Sequence, residues 1–522
     1  MITILKEEDI SPEYLSDESR LQGRADSISF PEHAADLRDV VARLAQSAVP
    51  FTVQGARTGI TGGAVPEGGR ILNLSRMNRI TAMAHDETTD GFTVTVEPGL
   101  TLESLQNHLT RKDFGADLAD AASQRAFERF RNGGKFFFPP DPTETSASLG
   151  GMAACNASGA RSHRYGPVRP YVRAAGLVLP SGATVSLARD GQRAQGRKFK
   201  LELDNGTVLS GVLPSYSWPA VKNASGYYVG DDVDLVDLFI GQEGTLAVYS
   251  SLTLALARRP ACTVGVLFFF KREANALEFV RRVRYRPAAI DAITPCAIEY
   301  FDRGALEIIG TLEHESLRRP DPVFSSAVYV EADGENEDAL LDYFGSLTED
   351  VALTGEDPDA NWTGTDPDER EALRLFRHAV PEAVNHAVAS YKRDAPGINK
   401  LGTDFAVPEG KLPALVAAYR NTLDSAGLHY VMFGHIGDNH LHVNILPRTE
   451  KEFEAGKKIY RGLAETVAGM GGTVSAEHGI GKLKREYLTL MYGEQGIEEM
   501  KSVKRLFDPG YLLNRGTLFT LP

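Results

Sequence analysis

The chain has 522 residues, with 56 Lys and Arg against 70 Asp and Glu, for a formal net charge of −14. That balance leaves no overall basic field for nucleic acid, and 42% hydrophobic against 24% charged residues excludes disorder as the general state. Three cysteines (Cys155, Cys262, Cys296), none in a C-x-x-C pair, exclude a disulfide framework and a Cys-ligated iron–sulfur cluster on this chain.

At about 100–200 residues per domain the length predicts two to four domains. The longest apolar run, 264–270, is far short of the ~20 residues of a membrane span. The first residues, Met-Ile-Thr-Ile-Leu-Lys-Glu-Glu-Asp, lack a basic stretch followed by an apolar one, so no secretory signal is expected. A cytoplasmic place is expected, with a peripheral position at the inner membrane left open.

In chain order, the apolar spacing predicts a helix over 36–46. Strands follow at 49–53, 71–74 and 92–96, and Thr101 caps a helix over 102–109. Residues 111–135 read as a helical insertion or a mobile surface loop. A hairpin joins 174–179 to 183–187 through Pro180-Ser181-Gly182. The segments 235–240 and 246–256 come next. The pattern changes near 258. Strands are expected at 262–270, 297–300, 324–331, 403–407, 430–433 and 440–446. Helices are expected at 273–283, 337–347, 412–426, 452–470 and 496–507. The alternation predicts an α+β unit with helices on one face of its sheet.

Gln54 to Ala64 is a glycine-rich loop after a strand, with Gly55, Gly59, Gly62 and Gly63. Glycines let backbone amides close on an anion, and Thr58 and Thr61 add hydroxyls. The loop is neither G-x-G-x-x-G nor a P-loop, and by itself it also reads as a plain turn. Phe138 to Gly151 carries rigid prolines into small polar residues and paired glycines, a shape suited to a flat ligand.

Gly434-His435-Ile436-Gly437-Asp438-Asn439-His440-Leu441-His442-Val443-Asn444 reads as a hairpin around a Gly-Asp-Asn turn. A four-residue loop sets His442 opposite Phe433, on the face of His435. A six-residue loop sets His435 opposite His442. Either register turns both imidazoles to one side, and an odd loop separates them. Glu477-His478, beside glycines, offers a third ligand. Two His and a carboxylate suit Zn²⁺, and also Fe²⁺ or Mn²⁺. His440 reads as a solvated strand residue. Arg377 and Lys400 add cations, Arg suited to a bidentate carboxylate and Lys to a point charge.

Several of these motifs resemble one family. They are the first loop, Pro140-Asp141-Pro142-Thr143 with Gly150-Gly151, Asn156-x-x-Gly159, Tyr165-Gly166 and Ile240-Gly241-Gln242-Glu243-Gly244-Thr245-Leu246. Taken in order, they resemble FAD-binding flavoenzymes of the vanillyl-alcohol-oxidase/para-cresol-methylhydroxylase (PCMH) type. Within it the similarity is to the D-lactate and D-2-hydroxyglutarate dehydrogenase branch, whose C-terminal part is the FAD-linked oxidase type. The resemblance implies an α+β chain in three parts. A PCMH-type FAD-binding domain of two α/β subdomains spans 1–257. A ferredoxin-like, antiparallel substrate cap spans 258–455, and a C-terminal helical segment over 456–522 completes the site.

It further implies that Arg57, Thr58, Gly59, Thr61, Gly62, Gly63 and Ala64 wrap the FAD pyrophosphate. Pro140, Thr143, Ser146, Gly150, Gly151 and Asn156 would line the isoalloxazine and ribityl side, continued by Tyr165 and Gly166. Glu243 and Gly244 would approach the adenine, and Asn514 would lie near the flavin. The first loop has no His or Cys, so FAD is expected noncovalent. Relatives carry Lys where this chain has Thr517, and Gly-Asn where it has Asn439-His440.

By the same resemblance His435, His442 and Glu477 hold a divalent metal, zinc first, and His478 is the base. Arg377, Lys400 and Asn444 hold the substrate. The implied reaction takes a D-2-hydroxy acid to the 2-oxo acid, with hydride transfer to flavin N5. Pro381, where some 2-hydroxyglutarate enzymes carry Thr, places D-lactate ahead of the diacid, and glycolate meets the same chemical requirements. Electrons would leave to an external acceptor: an electron-transfer flavoprotein, a quinone, a cytochrome or a separate iron–sulfur protein. A homodimer is compatible with the sequence. The alternatives are a non-redox flavoenzyme of the alkyl-glycerone-phosphate synthase type and a flavin-free zinc hydrolase.

Overall fold

A computed structural model of the protein describes residues 3–114, 118, 120–286, 293–314, 317–365 and 367–520. Near the N-terminus a four-stranded sheet runs in the order Thr3–Lys6, Ser27–Phe30, Arg70–Asn73, Phe51–Gln54. The last three strands pair in parallel, and the helix Ala34–Gln46 crosses between Ser27–Phe30 and Phe51–Gln54. That helix buries Leu37, Val40, Val41 and Leu44, the spaced positions that predicted it.

An antiparallel five-stranded sheet follows, ordered Ile80–Asp86, Gly91–Val96, Val248–Ala255, Val172–Val178, Thr184–Ala188. Thr101 caps the helix Leu102–Arg111 by accepting from Ser104 N. The expected insertion holds a helix, Ala121–Asn132, which buries Ala126 and Phe130 and packs on the strand Ile80–Asp86. Within it, residues 115–117 and 119 lie outside the described residues.

An eight-stranded antiparallel sheet dominates the rest. Its order is Asn361–Gly364, Cys262–Phe270, Ser326–Gly334, Pro295–Asp302, Tyr430–Gly434, His440–Ile445, Leu401–Gly402, and Phe405–Ala406 also pairs with His440–Ile445. The expectation of helices on one face is corrected here: both faces are covered. The strand Cys262–Phe270 is apolar on alternate and intervening positions alike. Val266, Phe268 and Phe270 pack with Phe279 and Leu340 of the helices Glu273–Arg284 and Glu337–Leu353. Leu267 and Phe269 share a separate core with Ala305 and Phe376, from Arg303–Ile309 and Pro367–Tyr391. A strand apolar on both sides needs a layer on each, and each buried Leu or Phe contributes on the order of 1.5–3 kcal/mol.

The last helices are Glu450–Gly469 and Arg485–Phe507, the latter broken at Gly493, where φ is 66°. Among the described residues, no helix is long and apolar enough to cross a membrane.

Candidate active site

The 430–445 hairpin takes the four-residue register: Phe433 pairs with His442, and a short turn over Ile436–Asp438 closes the loop. His435 and His442 therefore point to one side. The neighbouring strand Pro295–Asp302 pairs Tyr300 with Gly434, and the same register brings Glu299 opposite His435. Glu299 lies 2.5 Å from His435 Nδ1. On the other flank, Thr403 O lies 3.0 Å from His442 Nδ1. Each imidazole thus has its Nδ1 at an oxygen and its Nε2 toward Glu477, at 3.4 Å for His435 and 3.8 Å for His442. An N–H held by a carboxylate or carbonyl, with the other nitrogen aimed inward, is how histidine ligands are oriented for a metal.

The donor atoms of His435, His440, His442 and Glu477 all lie within 4.8 Å of one another, and so do those of Asp404, Glu477 and His478. This set of imidazoles and a carboxylate fits a divalent transition metal. His440, expected to be solvated, is 0% exposed. The polar face of the strand looks into the cleft, and Asp404 covers it, with Oδ1 3.1 Å from His440 Nε2.

His478 Nδ1 is 3.2 Å from Asp404 Oδ2, and its ring stays partly exposed. The same oxygen accepts from Ser475 Oγ at 2.7 Å, His478 N at 3.0 Å and Lys484 Nζ at 3.1 Å. Burial alone would raise the Asp404 pKa, yet His478 and Lys484 hold it well below the usual carboxylate range. Glu477 is likewise held low against burial, by Lys222 and His435. Lys222 bonds Glu477 and the carbonyl of Gly159. For His435, burial lowers the pKa, but Glu477 and Glu299 outweigh it and raise it to about 10.

Arg377, from the helix Pro367–Tyr391, is buried beside Glu331 (3.5 Å) and Glu299 (3.9 Å), and its Nε has no hydrogen-bond partner. Asn444 lies buried on the His442 face, next to Gly402. Lys400 donates to Asn385 Oδ1 at 2.9 Å, just before the strand that pairs with Asn444.

The glycine loop forms an open cradle. Among the described residues, no backbone N–H from 56 to 63 donates to a protein acceptor, and a Cβ on Gly59 or Gly63 would meet nothing within 4 Å. Such a run of free N–H groups suits a pyrophosphate. Thr58 is half-buried in this run and Thr61 and Gly62 are buried, while Ala64 O accepts from Gln54 Nε2. The Arg57 side chain turns away, over the Tyr14 ring at 4.5 Å and to Glu13.

Gly55 abuts Ser148, whose hydroxyl caps the helix Leu149–Cys155 that begins with Gly150 and Gly151. Asn156 Oδ1 accepts from Arg169 N, and its Cβ lies near Gly241. Asn514 ties Val53 N (2.8 Å) to Glu243 O (3.1 Å) and touches Gly244. Glu243 turns its carboxylate inward, accepting from Ile480 N and Gly481 N, and burial raises its pKa to about 7. Thr61 meets the 478–483 loop through His478 O and Lys482 N.

Ser158 Oγ, 3.4 Å from Glu477, joins this segment to the His/Glu cluster. Tyr165 donates to Asp333 in the eight-stranded sheet, and Gly166 ends that turn with φ 72°. Pro140 is buried, whereas Thr143 and Ser146 stay exposed on their loop.

Residues 25–125 match the family "FAD binding domain", and residues 259–518 match "FAD linked oxidases, C-terminal domain". The chain belongs to the FAD-linked oxidase family. This FAD-linked oxidase is an oxidoreductase. It is 27% identical to a D-lactate dehydrogenase of Anaerostipes hadrus, over 99% of this chain and 94% of that protein. It is 26% identical to the glycolate oxidase subunit GlcD of Bacillus subtilis, over 98% and 91%. It is 27% identical to a D-2-hydroxyglutarate dehydrogenase of Xanthomonas citri pv. viticola, over 94% and 89%. Among solved structures, a 4-ethylphenol oxidase from Gulosibacter chungangensis matches with TM-score 0.64 at 15% identity, covering 99% of this chain and 94% of that one. An alkyldihydroxyacetonephosphate synthase matches with TM-score 0.60 at 14%, covering 95% and 76%. Both likenesses concern the fold.

Sequence reasoning missed Glu299, Asp404, Lys222 and Thr403, which hold the cluster. Asp404 follows Lys400 by four positions, and nothing in its local pattern distinguishes it from a surface carboxylate.

Proposed function

We infer that this FAD-linked oxidase oxidises a D-2-hydroxy acid, D-lactate first and D-2-hydroxyglutarate second, to the 2-oxo acid. The observation that carries the reading is the convergence of His435, His442 and Glu477 with the His478–Asp404 pair, joined by Ser158 to the open glycine cradle. FAD, held noncovalently, supplies the hydride acceptor, and a divalent metal on His435, His442 and Glu477, zinc first, makes the 2-hydroxyl more acidic.

His478 takes the hydroxyl proton on Nε2, because Asp404 faces Nδ1 and fixes the ring. Arg377, through its unpartnered Nε, and Asn444 hold the substrate carboxylate, and Lys400 adds a cation at the rim. Residues 57–64 hold the pyrophosphate. The walls at 140–166, 243–244 and 514 enclose the rest of FAD. The division at 1–257, 258–455 and 456–522 is part of the same reading, with the eight-stranded sheet as substrate cap. Electrons pass to an external acceptor.

The test is a panel of D- and L-2-hydroxy acids with an artificial electron acceptor, read as 2-oxo acid formed. Turnover of D-lactate above its L-isomer is expected. Absence of any 2-oxo acid from a protein carrying FAD would overturn the reading.

A further inference from the structure

His440 is the one imidazole of the cluster that the proposed reaction leaves without a task. It is fully buried, and its ring centroid lies 4.4 Å from that of His442 and 5.3 Å from that of His435. Neither of its ring nitrogens completes a hydrogen bond, although Nε2 stands 3.1 Å from Asp404 Oδ1, an atom equally without a partner. A buried imidazole left unpaired costs stability, and Asn at this place would suit a plain hairpin.

Like its neighbours, His440 has one ring nitrogen beside a protein oxygen. His435 and His442 each have one nitrogen at a protein oxygen and the other facing the cluster. In His440 the nitrogen at the oxygen is Nε2, which leaves Nδ1 free. One donor atom of His440 also lies within 4.8 Å of those of His435, His442 and Glu477.

We propose that His440 Nδ1 is a fourth protein donor to the metal, making the centre three imidazoles and one carboxylate. The inference rests on the metal reading above and goes beyond its three ligands. It also bears on which ion is used. Zinc with four protein donors is a closed tetrahedral site. A hydroxy acid needs two further positions, for its hydroxyl and a carboxylate oxygen. Four protein donors plus two therefore suit a six-coordinate ion such as Fe²⁺ or Mn²⁺.

The test strips the FAD-loaded protein of metal and titrates it with Mn²⁺ and Zn²⁺ by calorimetry. X-ray absorption at the metal edge then counts imidazoles. Three are expected in the unaltered protein and two in His440→Asn. The variant should bind Mn²⁺ about tenfold or more weaker, with unchanged FAD content. Two imidazoles in both proteins, with equal affinities, would overturn the inference while leaving the three-ligand site intact. Failure of the metal reading itself looks different: no stoichiometric metal in the unaltered protein, or full metal retained in His435→Ala. Should His440→Asn fail to fold, the imidazole count of the unaltered protein decides alone, and His440→Gln repeats the comparison.

Discussion

At His435 two carboxylates compete for one imidazole. Glu299 sits 2.5 Å from Nδ1 and Glu477 3.4 Å from Nε2, and together they raise its pKa to about 10 against the effect of burial. In the metal site proposed above, ligation requires the neutral ring, so metal uptake would displace this proton. Below about pH 10 the proton competes with the metal, and raising the pH removes the competitor. The apparent metal affinity should therefore rise about tenfold per pH unit from pH 6 to 9, for one proton released. Calorimetry in buffers of different ionisation enthalpy measures that release directly, and an affinity flat with pH would refute it. Glu299→Gln removes the charge behind the ring. A loss of about 10–100-fold in metal affinity is expected, with FAD content unchanged. His435→Ala should lose stoichiometric metal and turnover while the protein stays yellow.

The loop 478–483 shows how one element ties two sites together. Ile480 and Gly481 donate to Glu243, Lys482 N donates to Thr61 O, and His478 faces Asp404 beside the His/Glu cluster. Gly481 has φ 53°, and a Cβ there would overlap the Thr61 carbonyl oxygen. Gly481→Ala should push the loop off the glycine cradle at a cost of about 1–3 kcal/mol. Purified protein should then show a lower ratio of flavin to protein absorbance and a lower thermal midpoint; an unchanged ratio would separate this loop from cofactor binding. The same elements mark what could be read from sequence. The glycine cradle and the hairpin are local, set by glycine clusters, a Gly-Asp-Asn turn and a period of two, whereas the loop length that fixes the register is not. Glu299, Lys222 and Asp404 reach the site only through pairing across strands and loops far apart in sequence, and a single acidic or basic residue carries no period. His440 was misread because alternation gives a strand a polar face without saying whether that face meets water or a cleft. The second layer of helices on the eight-stranded sheet escapes the strand–helix alternation for a related reason: alternation does not count layers, and only the two apolar sides of 262–270 require both.

For the whole molecule, residues 161–165 bolt the loop and helix at 140–166 to the eight-stranded sheet. Arg161 Nε meets Glu331 at 2.7 Å, His163 lies 3.2 Å from Asp438, Arg164 donates to Asp333 O at 3.1 Å, and Tyr165 donates to Asp333 Oδ2 at 2.6 Å. Glu331 is the centre of this junction, also accepting from Tyr329 at 2.8 Å and lying 3.5 Å from Arg377. Burial alone would raise its pKa, but Arg161 and Arg377 bring it down to about 2 from 4.5. A carboxylate whose pKa is depressed on folding stabilises fully above its unfolded value, and that contribution is lost as pH falls through the folded value. The window is therefore about pH 4.5 to 2, and Glu331 alone should cost the protein about 1–2 kcal/mol between pH 6 and pH 3.5. Glu331→Gln leaves the largely buried Arg377 and the partly exposed Arg161 guanidinium short of a partner, so it should begin about 3 kcal/mol less stable at neutral pH. Having no proton to gain there, it should then fall less steeply on acidification. Denaturant titrations of both proteins at pH 6 and pH 3.5, followed by near-UV circular dichroism, measure the two slopes. Parallel losses would mean that the acid-sensitive joint lies elsewhere; a shallower loss in the variant places it at the seam between residues 161–165 and the eight-stranded sheet.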